Sequence, residues 1–593
     1  MEPVPKHSWK WSRKVSTTFA LWTLSSLAVA IFAFALGMSR GEFIPWSSLA
    51  TGVIGGTLAV PLLLLVRATG RWLRSWKNIK RLSVWFIYFL LLLLLVRFEE
   101  NWRGRHAWEK FRREWEAKGE QLDFKAFIPP PVPDNQNFAM APIVASCYSH
   151  LLDSNGHRVK PARTNIVDRL DFNIYGRDYF DRDSPTNGDW RKATLTDLKG
   201  WQHYYRNSFH TNEAGVVRRE FVAPAEPQSP GHDVLLALSR YDEPLKELNE
   251  ASGLPQSRFP LEYGNENPGA IILPHLAALK KSAQALQLRA LAELESGDGT
   301  NACRDTLLIF QLSEKIRSEP FFITHLVRIA LIEIAIQVIY EGLATHRWQD
   351  AELIELSNAL SGQNLAADYR FAMRGETVFQ ISMCDFFRKH PAELLALAKS
   401  GGCFFVEASD LSAAERAASH LIPPGWIYQN QINSTKMMIE TVYPIADETN
   451  QTFSVEKGEA HIGSFQHYSP FDIFHFIRQL VTPALGSAAK KFALCQTSVN
   501  LASVGIALER QRLATGSYPE KLDALSPQFI LHLPPDTIGG QPLKYRREAD
   551  GLFVLYSVAW NQTDDGGVTV FWESSAYTLD ETKGDWVWRY PAK

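Results

Sequence analysis

The sequence predicts a mainly α-helical protein with three N-terminal transmembrane helices, a stalk helix, a helical hairpin or bundle body of weakly solenoid-like layout, and a small C-terminal α+β module. Three observations predict this class. Apolar residues are concentrated in the first hundred positions, helical periodicity runs through most of residues 275–515, and the apolar period changes to that of strands after Thr515.

Length and composition limit the classes of function. The chain has 593 residues, 62 Lys plus Arg and 64 Asp plus Glu, with a formal net charge of -2. This length allows several domains of about 100–200 residues each. Phosphate binding needs a basic surplus, so no nucleic acid partner is expected. The five cysteines form no C-x-x-C pair, which argues against a zinc ribbon or a full disulfide framework, although an exported body could hold one disulfide.

Residues 1–97 are predicted to be a membrane anchor with helices at about 15–38, 43–66 and 82–97. The first two runs carry no charge and are long enough to cross a hydrocarbon core of about 30 Å. The third run is shorter, and a buried core helix is its alternative reading. Because Arg81 and Arg97 can extend toward the headgroups, we predict that it also spans.

The basic residues of the flanking loops predict the orientation. Lys6, Lys10, Arg13 and Lys14 precede the first run, and six Lys or Arg residues lie between the second and third runs. Positive loops stay in the cytoplasm, so three spans place the rest of the chain outside it, and two spans would place it inside. The segment after Arg97 is itself basic and does not favour export.

The segments that follow the anchor differ in composition. Residues 98–126 are predicted to be a stalk helix whose stripe of Trp108, Phe111 and Trp115 serves packing or an interfacial anchor. Residues 127–136 contain four prolines in five positions and are predicted to be a polyproline II spacer, with a PxxP recognition site as the alternative. Residues 137–274 are predicted to be a loop-rich part of the body.

Residues 275–483 are predicted to be an α-helical body. Two helical hairpins between His275 and Leu360 have a solenoid-like layout without recurring signature residues. The run from Phe321 to Tyr340 is apolar but carries His325 and Glu333, so we predict a bundle core and no fourth span. Residues 484–593 are predicted to be the α+β module, with a helix over about 484–515 and strands at 543–546 and 552–558.

Motifs that carry chemistry are missing from the sequence. It has no G-x-S-x-G, Walker A, G-x-G-x-x-G or H-E-x-x-H pattern, so no catalytic residue and no cofactor is assigned. The group His461, His467 and His475 with Asp472 fits no zinc spacing, and no metal site is predicted. His325 and Glu333, inside an apolar helix, are either mutually satisfied core groups or part of a site.

The C-terminal segment carries a family resemblance. A helix ending in Leu508-Glu509-Arg510-Gln511-Arg512 is followed by Gly516-Ser517-Tyr518-Pro519, Gly539-Gly540-Gln541-Pro542-Leu543, Leu555-Tyr556-Ser557-Val558 and Asp564-Asp565-Gly566-Gly567. This order resembles the globular part of type II secretion pseudopilins. Some pseudopilins bind calcium after the last strand, where this chain has Asn561, Asp564 and Asp565, and an ordinary Asp-Gly turn is the alternative. The whole chain, including Ile128 to Asn137, resembles uncharacterised bacterial proteins with a multi-span membrane anchor, which implies a bacterial inner-membrane setting.

These observations predict a membrane-anchored envelope protein with a large extracytoplasmic body that scaffolds or binds other envelope proteins, and they lean against an enzyme. The lipid bilayer and other envelope proteins are the expected partners. The alternative is a membrane-anchored hydrolase or small-molecule-binding protein with its site in the helical body. That alternative expects a cavity that gathers His325 or Glu333 with Arg370, Arg374 or Glu376.

Overall fold

The computed structural model describes residues 22–23, 76–148, 151–152, 158–159, 169–175, 185–211, 217–400, 408–463, 487–572 and 575–591. The predicted spans at 15–38 and 43–66 lie outside the described residues, apart from 22–23. His467, Asp472 and His475 also lie outside them. The chain divides into two compact units, Met1–Glu99 and Glu100–Lys593. With 63% helix and 8% strand, the predicted mainly α-helical class is confirmed.

The α-helices of the described residues are α1 (Trp76–Ala117), α2 (Pro142–Ala145), α3 (Leu198–Asn207), α4 (Pro230–Leu238), α5 (Asp242–Ser252), α6 (Pro274–Glu295), α7 (Gly299–Lys315), α8 (Phe322–Ala344), α9 (Asp350–Ser361), α10 (Leu365–Lys389), α11 (Pro391–Lys399), α12 (Ala413–Ser419), α13 (Pro424–Met437), α14 (Val455–Gly463) and α15 (Ala488–Thr515). The strands are β1 (Leu151–Leu152), β2 (Arg158–Val159), β3 (Phe209–Thr211), β4 (Val217–Arg219), β5 (Ala446–Asp447), β6 (Thr452–Phe453), β7 (Lys544–Arg547), β8 (Phe553–Ser557), β9 (Thr569–Trp572), β10 (Ser575–Gly584) and β11 (Trp586–Arg589).

Three of the described helices, α1, α8 and α15, are long and apolar enough to cross a membrane. They differ in how much of the most apolar stretch is buried: none of it in α1, 56% in α8 and 94% in α15. The exposed stretch of α1 contains the predicted third span, and its large apolar side chains from Leu82 to Phe98 are all exposed. Helices α8 and α15 bury their apolar residues in the core of the second unit.

The centre of the second unit is a layer of long helices around α8. Helix α8 packs against α6, α7, α10 and α15, and α9 packs against α7 and α15. Local signals set the helix ends: Pro274 starts α6, Asp298 accepts a hydrogen bond from the Asn301 N–H at the start of α7, and Asn364 does the same for the Ala367 N–H in α10. Of the two predicted hairpins between His275 and Leu360, the first is present as the packed pair α6–α7, whereas α9 follows α8 in the chain and packs against α7 and α15.

The body-side part of α1, which was predicted to be a stalk, packs against the second unit's core. Trp108 is buried there, and Phe111 and Trp115 lie against the same cluster. The closest approach is at Gly425 in α13. Its N–H donates to the Asn101 side-chain oxygen at 2.9 Å, and a Cβ built on Gly425 would lie 2.2 Å from the Glu100 carbonyl oxygen. Glycine is required at this crossing because any side chain would collide with the α1 backbone.

The proline-rich segment also contacts the body. Phe127 and Ile128 pack against an apolar cluster that contains Phe321 and Val378. The Pro129 carbonyl oxygen accepts a hydrogen bond from Arg258 Nε at 2.9 Å. The segment lies inside the second unit, and it is held along the surface of the helices.

Residues 137–274, predicted to be loop-rich, contain the helices α2 to α5 among short turns and loops. Helix α4 packs between α3 and α6, and its Gly231 N–H donates to the Glu295 carboxylate at 3.0 Å. Residues 443–463 contain the β5–β6 hairpin and α14. Ser454 starts α14, because its hydroxyl and carbonyl oxygens accept the N–H groups of Lys457 and Gly458.

The C-terminal part consists of α15 and an antiparallel sheet in the order β11-β8-β7, beside a β9–β10 hairpin. Strand β8 is the central strand, with Leu555 opposite Tyr545 on β7 and Trp588 on β11. Helix α15 packs against β8 and β11, where Gly505 lies beside the Trp588 indole. The two predicted strands are therefore present, shifted by about one residue.

The glycine crossing predicts a specific loss of stability. Gly425→Ala should lower the free energy of unfolding by about 1–3 kcal/mol, because the new methyl group overlaps the α1 backbone. Alanine is a better helix former than glycine, so a loss of stability in this variant would indicate the steric overlap and not a change in helix propensity. Denaturant unfolding of the detergent-solubilised protein measures it. The matched control is Gly264→Ala, whose Cβ meets nothing within 4 Å. Equal stability of the two variants would contradict the crossing.

Candidate functional site

Most of the residues that were predicted to form a site in α8 and α10 have hydrogen-bond or ion-pair partners outside that set. His325 is fully buried, and its Nε2 lies 3.1 Å from the Glu319 carbonyl oxygen. Burial and, after it, the charge of Arg328 lower the pKa of His325 to about 3, so the imidazole is neutral. Glu333 accepts hydrogen bonds from Arg191 at 2.7 Å and from the Ser498 hydroxyl at 2.7 Å.

The three residues of α10 form separate contacts. Arg374 pairs with Glu120 at 3.0 Å, and Arg370 lies 3.4 Å from Glu448. Burial raises the pKa of Glu376 to about 7, which the Gln380 amide opposes through a hydrogen bond of 3.4 Å. The structure therefore does not bring the predicted set together in one cavity.

Arg370 and Arg374 do line a cavity of about 770 Å³ between the proline-rich segment, α7 and α10. Its charged wall is balanced, with three arginines and three carboxylates, and its apolar wall contains Phe127, Pro129 and Phe371. Beneath the wall, buried Arg328 bonds Asp368, Glu314 and Gln363, and Arg317 donates to Asp368 at 2.9 Å. Each carboxylate of this wall has a cationic partner, so the cavity presents no unmatched charge.

A second cavity, of about 490 Å³, lies between α5, α6 and α7, and we call it the Glu293 cleft. Its floor consists of Glu293 and Arg289 from α6 and Asp305 from α7. Arg289 holds Asp305 with two hydrogen bonds, of 2.5 Å from Nε and 2.7 Å from the terminal nitrogen. The Glu293 side chain is only 7% exposed, and its Oε2 accepts no hydrogen bond from the described residues.

The chemistry of the floor follows from this arrangement. Burial and, after it, the neighbouring Asp305 charge raise the pKa of Glu293 to about 8 against the opposing effect of Arg289. At neutral pH Glu293 therefore mostly carries a proton. A buried carboxyl group with a perturbed pKa in a cleft is typical of binding and catalytic sites.

Sequence patterns did not single out this cleft, because its three floor residues come from two helices and pair only in the folded chain. The available signal was the placement of Arg289 and Glu293 four residues apart inside the Ala-Leu-rich helix α6. Asp305 is likewise a charged residue among apolar ones, on the buried face of α7.

A third polar group is closed to solvent. His275 Nδ1 bonds the Tyr148 hydroxyl, and its Nε2 lies 2.8 Å from Glu319, whose other oxygen accepts the Thr324 hydroxyl at 2.7 Å. The His275 ring stacks on Phe259 with centroids 3.9 Å apart. Since His275 is fully buried and Glu319 nearly so, this set connects the starts of α6 and α8 and offers no open position for a substrate.

The described residues hold no group of three or more His, Cys, Asp or Glu side chains that could bind a metal. In the loop after β8, Asp564 accepts the Tyr556 hydroxyl at 3.0 Å and the Gly566 N–H at 3.1 Å, and Lys544 lies 3.4 Å away. Asp565 accepts from Asn561 at 2.8 Å. These donors explain the loop as a turn. The described cysteines, Cys147, Cys303, Cys384 and Cys495, are buried.

Comparisons with protein-family models, with curated proteins and with solved structures gave no match. A functional assignment therefore comes from the chemistry of the described residues. At the Glu293 cleft, a cavity coincides with a buried polar atom that lacks a partner in the described part of the chain.

Two buried glutamates predict opposite effects of pH on stability. Burial alone would raise the pKa of Glu509, but hydrogen bonds from Arg512, His346 and Tyr518 outweigh it and lower the pKa to about 2. The stabilisation from Glu509 is thus complete above its ordinary pKa near 4.5 and is lost as pH falls toward 2. Glu293 has the reverse sign: its pKa is raised, so stability is lost as pH rises from about 4.5 to 8.

We expect Glu293→Gln to raise the free energy of unfolding by about 1–3 kcal/mol at pH 8, with the gain vanishing near pH 4. Glu509→Gln is the matched control and should cost about 1–3 kcal/mol at pH 7, because it removes the anion that accepts hydrogen bonds from the partly exposed Arg512 and His346 and from buried Tyr518. Denaturant unfolding between pH 4 and 9 measures both. A loss of stability in Glu293→Gln at pH 8 would contradict the described floor.

Proposed function

We propose that this chain is a membrane-anchored envelope protein whose helical body scaffolds or binds other proteins on the extracytoplasmic side of a bacterial inner membrane. The observation that carries the proposal is the exposure of α1. Its large apolar side chains between Leu82 and Phe98 are all exposed, whereas the comparably apolar stretch of α8 is 56% buried and the less apolar stretch of α15 is 94% buried. Such a surface is stable in lipid and costly in water.

The flanking residues of α1 suit a membrane setting. Lys77, Lys80 and Arg81 precede the apolar stretch, and Arg97 follows it. Cationic side chains at both ends can reach the headgroups, which lets a short apolar stretch cross a slightly thinned bilayer. The basic residues before the stretch favour a cytoplasmic start for α1 and hence export of the body.

The construction of the second unit supports a scaffolding role. Several of its buried charges have close partners, as in the pairing of Arg328 with Asp368 and in the hydrogen bonds from Arg512, His346 and Tyr518 to Glu509. Buried pairs of this kind fix one arrangement of helices, since breaking one leaves a charge without a partner. A rigid body connected to an anchor suits the presentation of a surface to other proteins.

We also propose that the C-terminal part, α15 with the β11-β8-β7 sheet, is a pseudopilin-like module. The support is the order of its elements, in which a long helix precedes the antiparallel strands and packs on them. This likeness favours partners among envelope proteins.

Small-molecule binding by the helical body is the second candidate function. The two cavities of about 770 and 490 Å³ favour it, because both lie within the range of ligand pockets. The two functions are compatible, since neither cavity involves the exposed stretch of α1.

Reporter fusions at the C-terminus test the compartment of the body. We expect alkaline phosphatase fused after Lys593 to be active and a cytoplasmic fluorophore at the same position to be dark, because an odd number of spans exports the body. Deleting the predicted third span, residues 82–97, is the matched control and should reverse both signals. A fluorescent fusion of the intact chain would contradict the orientation.

Chemical cross-linking in intact cells tests the scaffolding role. We expect the full-length chain to give a defined cross-linked species with the same partner in independent preparations. Glu293→Gln should give the same species, because the cleft is separate from a scaffolding surface. A chain that stays monomeric and recovers no reproducible partner would contradict scaffolding and leave the topology result unaffected.

A further inference from the structure

The floor of the Glu293 cleft has an unmatched group. It contains two carboxyl groups, of Glu293 and Asp305, and one cation, Arg289. Arg289 donates two hydrogen bonds to Asp305 and a longer one of 3.5 Å to Asp242, so its donors already have partners other than Glu293. Glu293 Oε2 is buried without a hydrogen bond from the described residues. A buried acceptor without a donor costs stability, which a ligand can restore.

The other buried acidic side chains show that this fold supplies donors where it can. Asp536 accepts the Ser557 hydroxyl and two backbone N–H groups, and Asp585 accepts the Gly567 N–H at 2.7 Å. Glu341 accepts from Thr196 and Gln337. Glu293 differs from these because it faces a cavity of about 490 Å³, where a ligand can supply the missing donor.

We propose that the Glu293 cleft binds a small molecule that carries a primary ammonium group, with the ammonium donating to the Glu293 carboxylate. An organic cation fits because the two floor carboxylates exceed the one floor cation. A divalent metal fits less well, since no group of three acidic, histidine or cysteine ligands is present among the described residues. A compact ammonium can donate to a single oxygen such as Glu293 Oε2, whereas a guanidinium is matched best by two parallel acceptors.

The charged groups around Glu293 come from every element that forms the cleft: Asp242, Glu243 and Lys246 on α5, Arg289 on α6, Arg304 and Asp305 on α7, and Asp298 before α7. All of these except Arg289 and Asp305 lie at or near the rim of the cleft and are exposed to solvent, which screens their charges. The rim has both acidic and basic residues, so their charges largely offset each other. The floor therefore decides the preference for a cation.

Proton linkage gives the proposal a signature. An ammonium ligand binds ionised Glu293, so binding must displace the proton that Glu293 holds below pH 8. The association constant should therefore rise about tenfold from pH 6 to pH 7 and level off above pH 8. A neutral hydroxyl or carbonyl ligand would prefer protonated Glu293 and give the opposite slope.

The experiment is calorimetric titration of the full-length chain in detergent with n-butylamine hydrochloride, with 1-butanol as the neutral isostere and detergent alone as the blank. We expect saturable binding of the amine only, with the pH slope given above. Glu293→Gln should weaken it at least tenfold at pH 8. The rim variant Glu243→Gln is the matched control and should change it less than about threefold.

Unfolding cannot explain a loss of binding in Glu293→Gln, because that variant is expected to be the more stable one. Equal binding of 1-butanol, retained binding in Glu293→Gln or a falling affinity from pH 6 to pH 8 would each overturn the ammonium site. Absence of amine binding by the wild-type chain at pH 8 would overturn it as well. None of these outcomes bears on the scaffolding proposal, which the cross-linking experiment tests.

Discussion

The contact between Gly425 and the backbone of α1 at Glu100 fixes how the C-terminal part of α1 packs in the folded body. The N-terminus of α13 meets α1 at Glu100 and Gly104, where both helices have glycine or backbone at the contact. Asn101 then supplies an acceptor for an N–H group at the start of α13, which no intrahelical bond could satisfy. Trp108, Phe111 and Trp115 extend the contact into the core. The helix that carries the exposed apolar surface is thereby part of the folded body from Glu100 onward.

Desolvation of charge explains both the buried ion pairs of the body and its candidate site. Removing a carboxylate from water is costly unless donors replace the lost hydration. Glu509 and Asp368 receive such donors from neighbouring elements, and they join α15 to the end of α8 and α7 to α10. Glu293 receives none from the described residues, and the cavity in front of it remains open to a ligand. The same physical rule thus gives structural pairs at one place and a candidate site at another.

Much of the helical architecture could be predicted, because it is encoded locally. Pro274 and Asp298 predict the starts of α6 and α7, and the period of the apolar residues predicts the long helices. The role of Trp108, Phe111 and Trp115 in packing also follows from their spacing. The cavities could not be predicted. Arg374 pairs with Glu120 and Glu333 with Arg191 across more than a hundred residues, and such partners are set by tertiary packing that no periodicity encodes.

The central claim is that α1 lies in lipid between Arg81 and Arg97. Nitroxide side chains placed singly at residues 82–98 of the reconstituted protein, with the native cysteines replaced, test it most directly. We predict that oxygen collision rates peak near Leu90 on every face of the helix, while a water-soluble nickel complex is excluded there. Nickel access throughout the stretch, or protection with a period of about 3.6 residues that indicates a protein interface, would contradict the claim.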